Sequence, residues 1–175
     1  MSEPIRSLKE LEPETAARVG EWLRLCGAKG VPVLIIESYR SPERQDELYA
    51  RGRTDAGKIV TNARAWQSFH QYRLAIDAVP YEALIEGGTV SSKLDWSPFR
   101  PGGEQAFRQS LEHSGGGDVS WLDQRWGVMV AAAAEVGLAW AGRWHSLIEY
   151  VHFQRADAPT IEALQRQRQA GAVAP

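Results

Sequence analysis

Apolar positions in the first thirty residues recur at helical spacing. Ala16, Val19, Leu23 and Cys26 fall on one face, Ser7 and Glu10 stand at capping-box distance, and Pro13 is placed to open the longer helix, with Gly27 or Gly30 as its stop. The pattern then becomes a continuous run, residues 31–37 (VPVLIIE), rich in β-branched side chains and short enough for a buried strand. Ser41 and Pro42 have the chemistry of an N-cap and a first helical position, for a helix expected to reach Gly52. Residues 53–67 mix turn formers with the strand-like 58–61 (KIVT). Residues 74–79 (LAIDAV) read as a second core strand. The stripe Leu122, Trp126, Met129, Ala133 and Val136 predicts a helix capped by Ser120 and closed by Gly137. Residues 145–154 (HSLIEYVHFQ) are expected as one more strand, and a last helix is expected from Pro159 to near Gly171. Helices with a few scattered strands predict an α+β fold: a small, mostly antiparallel sheet with flanking helices.

Residues 81–120 break this rhythm. They hold Gly87-Gly88, Pro101-Gly102-Gly103 and Gly115-Gly116-Gly117 and are acidic, so they read as an irregular insertion in a single domain of 175 residues, with no separate binding domain expected. The insertion leaves from the strand that carries Asp77, and Trp96, Phe99 and Phe107 give it apolar surface; it is expected to shape one wall of the functional cleft.

Composition narrows the function classes. A net charge of −2 argues against a general nucleic-acid binder. A single cysteine, Cys26, excludes an intrachain disulfide and a cysteine-rich zinc site. No apolar stretch is long enough to span a membrane, so no stable membrane association is expected. The first residues lack the apolar run of a signal peptide, so synthesis in a cytoplasm is expected. A monomer is expected.

The chemistry concentrates in three segments. Asp77 interrupts one apolar strand, with His70 seven residues before it, and Glu149 and His152 interrupt another. A buried carboxylate needs a partner, whether a metal, an Arg or backbone donors. Two histidines and one carboxylate with an open fourth position form a catalytic zinc set, and a second carboxylate beside the bound water suits metal-assisted hydrolysis. The third segment, Ser38-Tyr39-Arg40-Ser41 followed by Gln45, supplies an Arg, the natural clamp for a carboxylate.

Ser68-x-His70-x6-Asp77 followed by Glu149-x-x-His152-Phe153 resembles the M15, or LAS, zinc metallopeptidases. The resemblance is strongest to the phage endolysin subgroup that cuts L-alanyl-D-glutamate bonds in peptidoglycan. It is carried by Tyr39-Arg40-Ser41, Gln45, residues 48–54 (LYARGRT), residues 60–63 (VTNA) and residues 140–144 (WAGRW). It implies a LAS/hedgehog-like fold, one zinc ion on His70, Asp77 and His152, and Glu149 as the base. It also implies Arg40 as a catalytic-site and substrate-binding Arg, with Gln45 and Ser68 in the cleft. His145 and Trp144, beside the second motif, are further substrate-contact candidates. The implied partner is bacterial peptidoglycan, reached from the cytoplasm after release into the periplasm or wall. The alternatives are a D-alanyl-D-alanine carboxypeptidase or dipeptidase and a non-catalytic, zinc-stabilised wall-binding domain. The family usually has Gly where this chain has Arg73; if that position is left-handed, Arg there costs about 1 kcal/mol or more.

Overall fold

The computed structural model describes residues 2–86, 89–112, 121–144 and 148–171, with side chains described outside 83–91 and 108–112. Helix α1 (Pro13–Ala28) begins at Glu12, whose carboxylate accepts from the backbone of Glu14 and Thr15, an N-cap the capping-box reading did not foresee. Its buried centre is Thr15, Val19, Trp22 and Cys26, with Ala16 and Leu23 at the margins, so the predicted stripe is rotated slightly toward Trp22. Strand β1 (Val33–Glu37) and helix α2 (Pro42–Ala50) follow, and Ser41 caps α2 as its sequence predicts.

Strand β2 (Ala75–Glu86) is twice the predicted length. It continues into a hairpin with β3 (Thr89–Leu94), followed by helix α3 (Gly103–Glu112), so much of the predicted irregular insertion has regular structure. Phe99 and Phe107 pack against Trp121 and Tyr150, with ring centroids 4.5–6.1 Å apart, which ties this region to the core. Helix α4 (Gln124–Glu135) is capped by Asp123; Ser120, the expected cap, lies outside the described residues. Strand β4 (Leu138–Trp140) is only three residues, too short for its own period to show in the sequence. Strand β5 (His152–Arg155) covers only the end of the predicted strand, and helix α5 (Ile161–Gln169) starts after the cap Thr160, just past Pro159.

The main sheet runs β1-β2-β5-β4, all antiparallel, with β3 beside the outer half of β2. Alternation along the strands gives it two unlike faces. Ile76 and Phe153, paired across β2 and β5, point into the main core with Trp22, Trp126 and Met129 of α1 and α4. The two helices are pinned by the Trp22 indole, which donates to the Met129 carbonyl at 2.9 Å. Cys26 is buried there, and burial pushes its thiol up to about 11. The opposite face carries Asp77 and His152. A smaller cluster of Tyr72, Leu74 and Leu164 seats α5 on that side.

Candidate active site

Cross-strand pairing assembles the centre. In the register of β1, β2 and β5, Glu37 lies opposite Asp77 and Asp77 opposite His152, so three polar residues form one row across three strands. Regular pairing would have placed Ile36 against Asp77. A β-bulge between Ile35 and Glu37 inserts one residue and turns the Glu37 carboxylate into the row instead.

His70 reaches the same point from a one-turn 3-10 helix, Phe69–Tyr72. Ser68 caps that turn and the Gln71 side-chain oxygen accepts from the Ser68 backbone N–H, completing a capping box. The turn closes on Arg73, at φ 64° and ψ 25°. The left-handed conformation anticipated from the family's Gly is therefore present with an Arg in it. Its side chain donates to the Glu10 carbonyl and carboxylate and lies 4.4 Å from the Tyr39 ring centroid, contacts that offset the strain.

His70 Nε2, Asp77 Oδ1 and His152 Nδ1 form a triangle with edges of 3.2, 3.3 and 3.1 Å. His70 Nδ1 donates to the Ser38 carbonyl at 2.7 Å, so its Nε2 presents a lone pair. His152 Nε2 donates to Gln154 Oε1 at 3.0 Å, so its Nδ1 does the same. Three acceptors thus point at one another with no hydrogen between them, an arrangement that suits a cation. Ligands about 2.0–2.1 Å from a tetrahedral zinc ion lie about 3.3 Å apart, close to these edges. Two imidazoles and one carboxylate with an open fourth position form a zinc site of the catalytic kind.

Arg40 stands behind the carboxylate. Its Nη2 donates to Asp77 Oδ2 at 2.7 Å, its Nε to Glu37 Oε2 at 2.7 Å, and its Nη1 to Gln45 Oε1 at 3.1 Å. Arg44 pairs with the other Glu37 oxygen. Burial opposes ionisation of Asp77, yet the positive charge around it, from His70 and His152 when they carry a proton there in place of a metal and from Arg40, holds its carboxyl well below the usual range. Gln45 is fully buried behind Arg40, its amide on the Ala63 carbonyl at 2.7 Å, and does not reach the cleft, contrary to its expected role as a cleft residue.

The triangle opens into a cleft of about 460 Å³. Arg40, Ser68, Trp144, Glu149 and His152 are among the residues that line it. Glu149 sits just ahead of β5, where the backbone turns (His152 N–H to the Glu149 carbonyl, 3.2 Å), rather than inside a regular strand. Its carboxylate lies 3.8 Å from His152 Nδ1 and outside the ligand triangle. Burial, reinforced by the Asp77 charge and opposed by His152 and Arg40, raises its pKa above the ordinary value. The Trp144 ring flanks His152 at 5.4 Å. Trp140 is instead core, stacked on Trp121. His145 lies outside the described residues.

Two walls were not assigned from the sequence, although residues 61–63 belong to a motif of the resemblance. Thr61, Asn62 and Ala63 form one, and Ile161, Glu162 and Gln165 of α5 form another. The first is held by Arg53, which donates to the Tyr49 and Thr61 carbonyls and to Asn62 Oδ1. At Gly52, with φ 71°, a Cβ would stand 2.5 Å from Ile59 N, so only glycine lets the loop close there. No described side chain of the insertion lines the cleft, and its Phe99 and Phe107 pack against Tyr150; the side chains of 83–91 and 108–120, on which the expected wall also depends, lie outside the described residues.

A small antiparallel sheet that presents a buried His-Asp-His set and an adjacent free carboxylate to a cleft defines a metallopeptidase-type domain. A family model described as D-alanyl-D-alanine carboxypeptidase, of the M15 peptidases, matches residues 61–155, and the VanY model of the same description matches residues 8–97. The chain belongs to the M15 peptidase family. It is 33% identical over 126 residues to the peptidoglycan L-alanyl-D-glutamate endopeptidase CwlK of Bacillus subtilis (strain 168), an alignment covering 72% of this chain and 62% of that relative. The solved LdcB LD-carboxypeptidase shares the fold, with a TM-score of 0.52 at 14% identity over 99% of this chain and 70% of that one.

Proposed function

We propose that the protein is a zinc-dependent peptidoglycan peptidase that hydrolyses the L-alanyl-D-glutamate bond of the stem peptide. The observation that carries the reading is Glu149, a cleft carboxylate 3.8 Å from a metal-ligand nitrogen and outside the ligand set. The 33% identity to an L-alanyl-D-glutamate endopeptidase supports the choice of bond.

The residues divide the work. His70, Asp77 and His152 would hold the zinc ion, which would supply a Lewis acid for the water and the scissile carbonyl. Glu149, with its raised pKa, takes the proton of the attacking water and returns it to the leaving amine. Arg40 keeps Asp77 oriented and turns its edge to the cleft, where it meets the carboxylate of the residue after the cut. Trp144 and Ser68 bound the substrate's path.

A second reading, D-alanyl-D-alanine carboxypeptidase, is favoured by the description of both matching family models. Mass spectrometry of purified muropeptides after digestion separates the two. Release of the stem beyond L-Ala supports the first, and loss of a single D-Ala supports the second and overturns the first. The finer proposal, a phage-type lysin made in a cytoplasm and acting on the wall after release, is supported by the resemblance of residues 39–63 to that subgroup. Lysis of cells expressing the protein only when a membrane pore is co-expressed is its expected signature; lysis without the pore overturns it.

A further inference from the structure

Behind the 61–63 wall lies a second groove of about 570 Å³, lined by Asp46, Tyr49, Ala50, Arg53, Thr54, Arg64 and Ala65. The Tyr49 ring has two guanidinium groups against it, Arg53 at 4.0 Å and Arg64 at 4.6 Å from its centroid. Neither Arg has a carboxylate partner among the described residues. Arg53 spends its bonds on two backbone carbonyls and the neutral Asn62 amide, and Arg64 makes one long contact to the Tyr49 hydroxyl. The groove's one acid, Asp46, accepts from the Ala65 backbone at 2.8 Å and pairs with neither. The Arg64 hydrogen bond, with the charges of both Arg residues, lowers the Tyr49 phenol below its ordinary value. By contrast, the Arg40 charge in the main cleft is met by both Glu37 and Asp77.

We propose that this groove is a second substrate subsite, which binds a carboxylate of the peptidoglycan stem through Arg64 and Arg53. The proposal rests on the peptidase reading above. Continuity favours that occupant over an unrelated anion. One continuous segment lines both, residues 61–63 the cleft and residues 64–65 the groove, and Arg53 bridges them, bonding Asn62 of the cleft and stacking on the Tyr49 ring of the groove. A polymer threaded past Asn62 meets the two guanidiniums next, and stem peptides carry several carboxylates. Two Arg side chains stacked on an aromatic ring are also restrained before the ligand arrives.

The test uses Arg64→Gln, because Arg64 lies outside the cleft lining and Arg53 also braces the cleft wall. Two measurements are made: co-sedimentation with intact sacculi stripped of phosphate-bearing polymers, and hydrolysis of a short soluble stem peptide. Expected are about three- to tenfold weaker binding to sacculi, a smaller difference at high salt, and unchanged kinetics on the short peptide. Sacculi with amidated stem carboxylates should bind the wild type as weakly as untreated sacculi bind the variant. Equal binding by variant and wild type overturns the subsite. A binding loss seen only when phosphate polymers are left on overturns the carboxylate assignment. Sacculus binding is read without turnover, so a protein that binds through Arg64 but cuts neither substrate overturns the peptidase reading and leaves the groove standing.

Discussion

The site has two halves built on opposite terms. On the buried half, Glu37, Gln45, His70, Asp77 and His152 spend their polar atoms on one another, on Arg40, on Gln154 or on backbone, and all are under 10% exposed. Arg40 joins the halves, bonded to this frame with one edge on the cleft. On the open half, Glu149, Trp144, Asn62 and Gln165 face the cleft with few partners. The difference separates what must be held from what must be met. Ligands that converge within 3.3 Å are mutually repulsive without an ion and need a rigid frame, whereas groups that meet a substrate must leave donors and acceptors uncommitted.

That division can be broken from either side. The largest effect is expected at the ligands. His70→Ala, Asp77→Ala or His152→Ala should remove bound zinc, abolish hydrolysis and cancel the rise in Tm that zinc gives the wild type. Metal analysis and thermal melts check this, and full zinc occupancy in His152→Ala would refute the ligand set. Next is Glu149→Gln on the open half, which should keep zinc and Tm while kcat falls about 10²–10⁴-fold. Loss of zinc here would merge the two halves.

Glu37→Gln probes the frame without touching a ligand. With Arg40 released from Glu37, its hold on Asp77 weakens, and zinc affinity measured by chelator competition should fall about 10–100-fold. An unchanged affinity would show that Arg40 needs no anchor. The smallest effect is at Arg73, which supports the His70 turn. Arg73→Gly relieves a left-handed residue and loses the Glu10 and Tyr39 contacts, whereas Arg73→Ala keeps the strain and loses the same contacts. The Gly variant should be the more stable by about 1 kcal/mol in denaturant melts, with zinc affinity unaltered in both.

Legibility in the sequence followed the same division. Asp77 and His152 stood out because an acid and a histidine inside apolar strands need a reason, His70 joined them as a ligand through the family resemblance, and the antiparallel α+β character followed from short runs between helical stripes. Arg73 announced its left-handed turn by replacing a Gly. What escaped was set by three-dimensional register. Gln45 carries a cleft-like label in its motif but is turned inward by α2, and Glu149 is lifted off the strand by a turn that alternation does not encode. The α5 wall lies more than eighty residues from the Asn62 wall and shows only an ordinary helical stripe. The insertion's aromatic residues were legible as docking surface, but not which surface they dock on.

The bulge in β1 gives this strand an unusual sensitivity to length. Removing Ile36 would leave a shorter, still apolar strand that keeps Leu34 and Ile35 in pairing, so the fold could persist. Restored to regular pairing, Glu37 would still fall opposite Asp77, but the strand would lose the bend and extra twist that the bulge gives it. Arg40, three residues on, would then approach Asp77 from another direction while α2 remained tethered through Gln45. Substitutions at Ile36 change a side chain, but a single-codon deletion there changes the direction in which the chain leaves the sheet. In this chain β1 aims the helix that follows it, and its residue count matters as much as its composition.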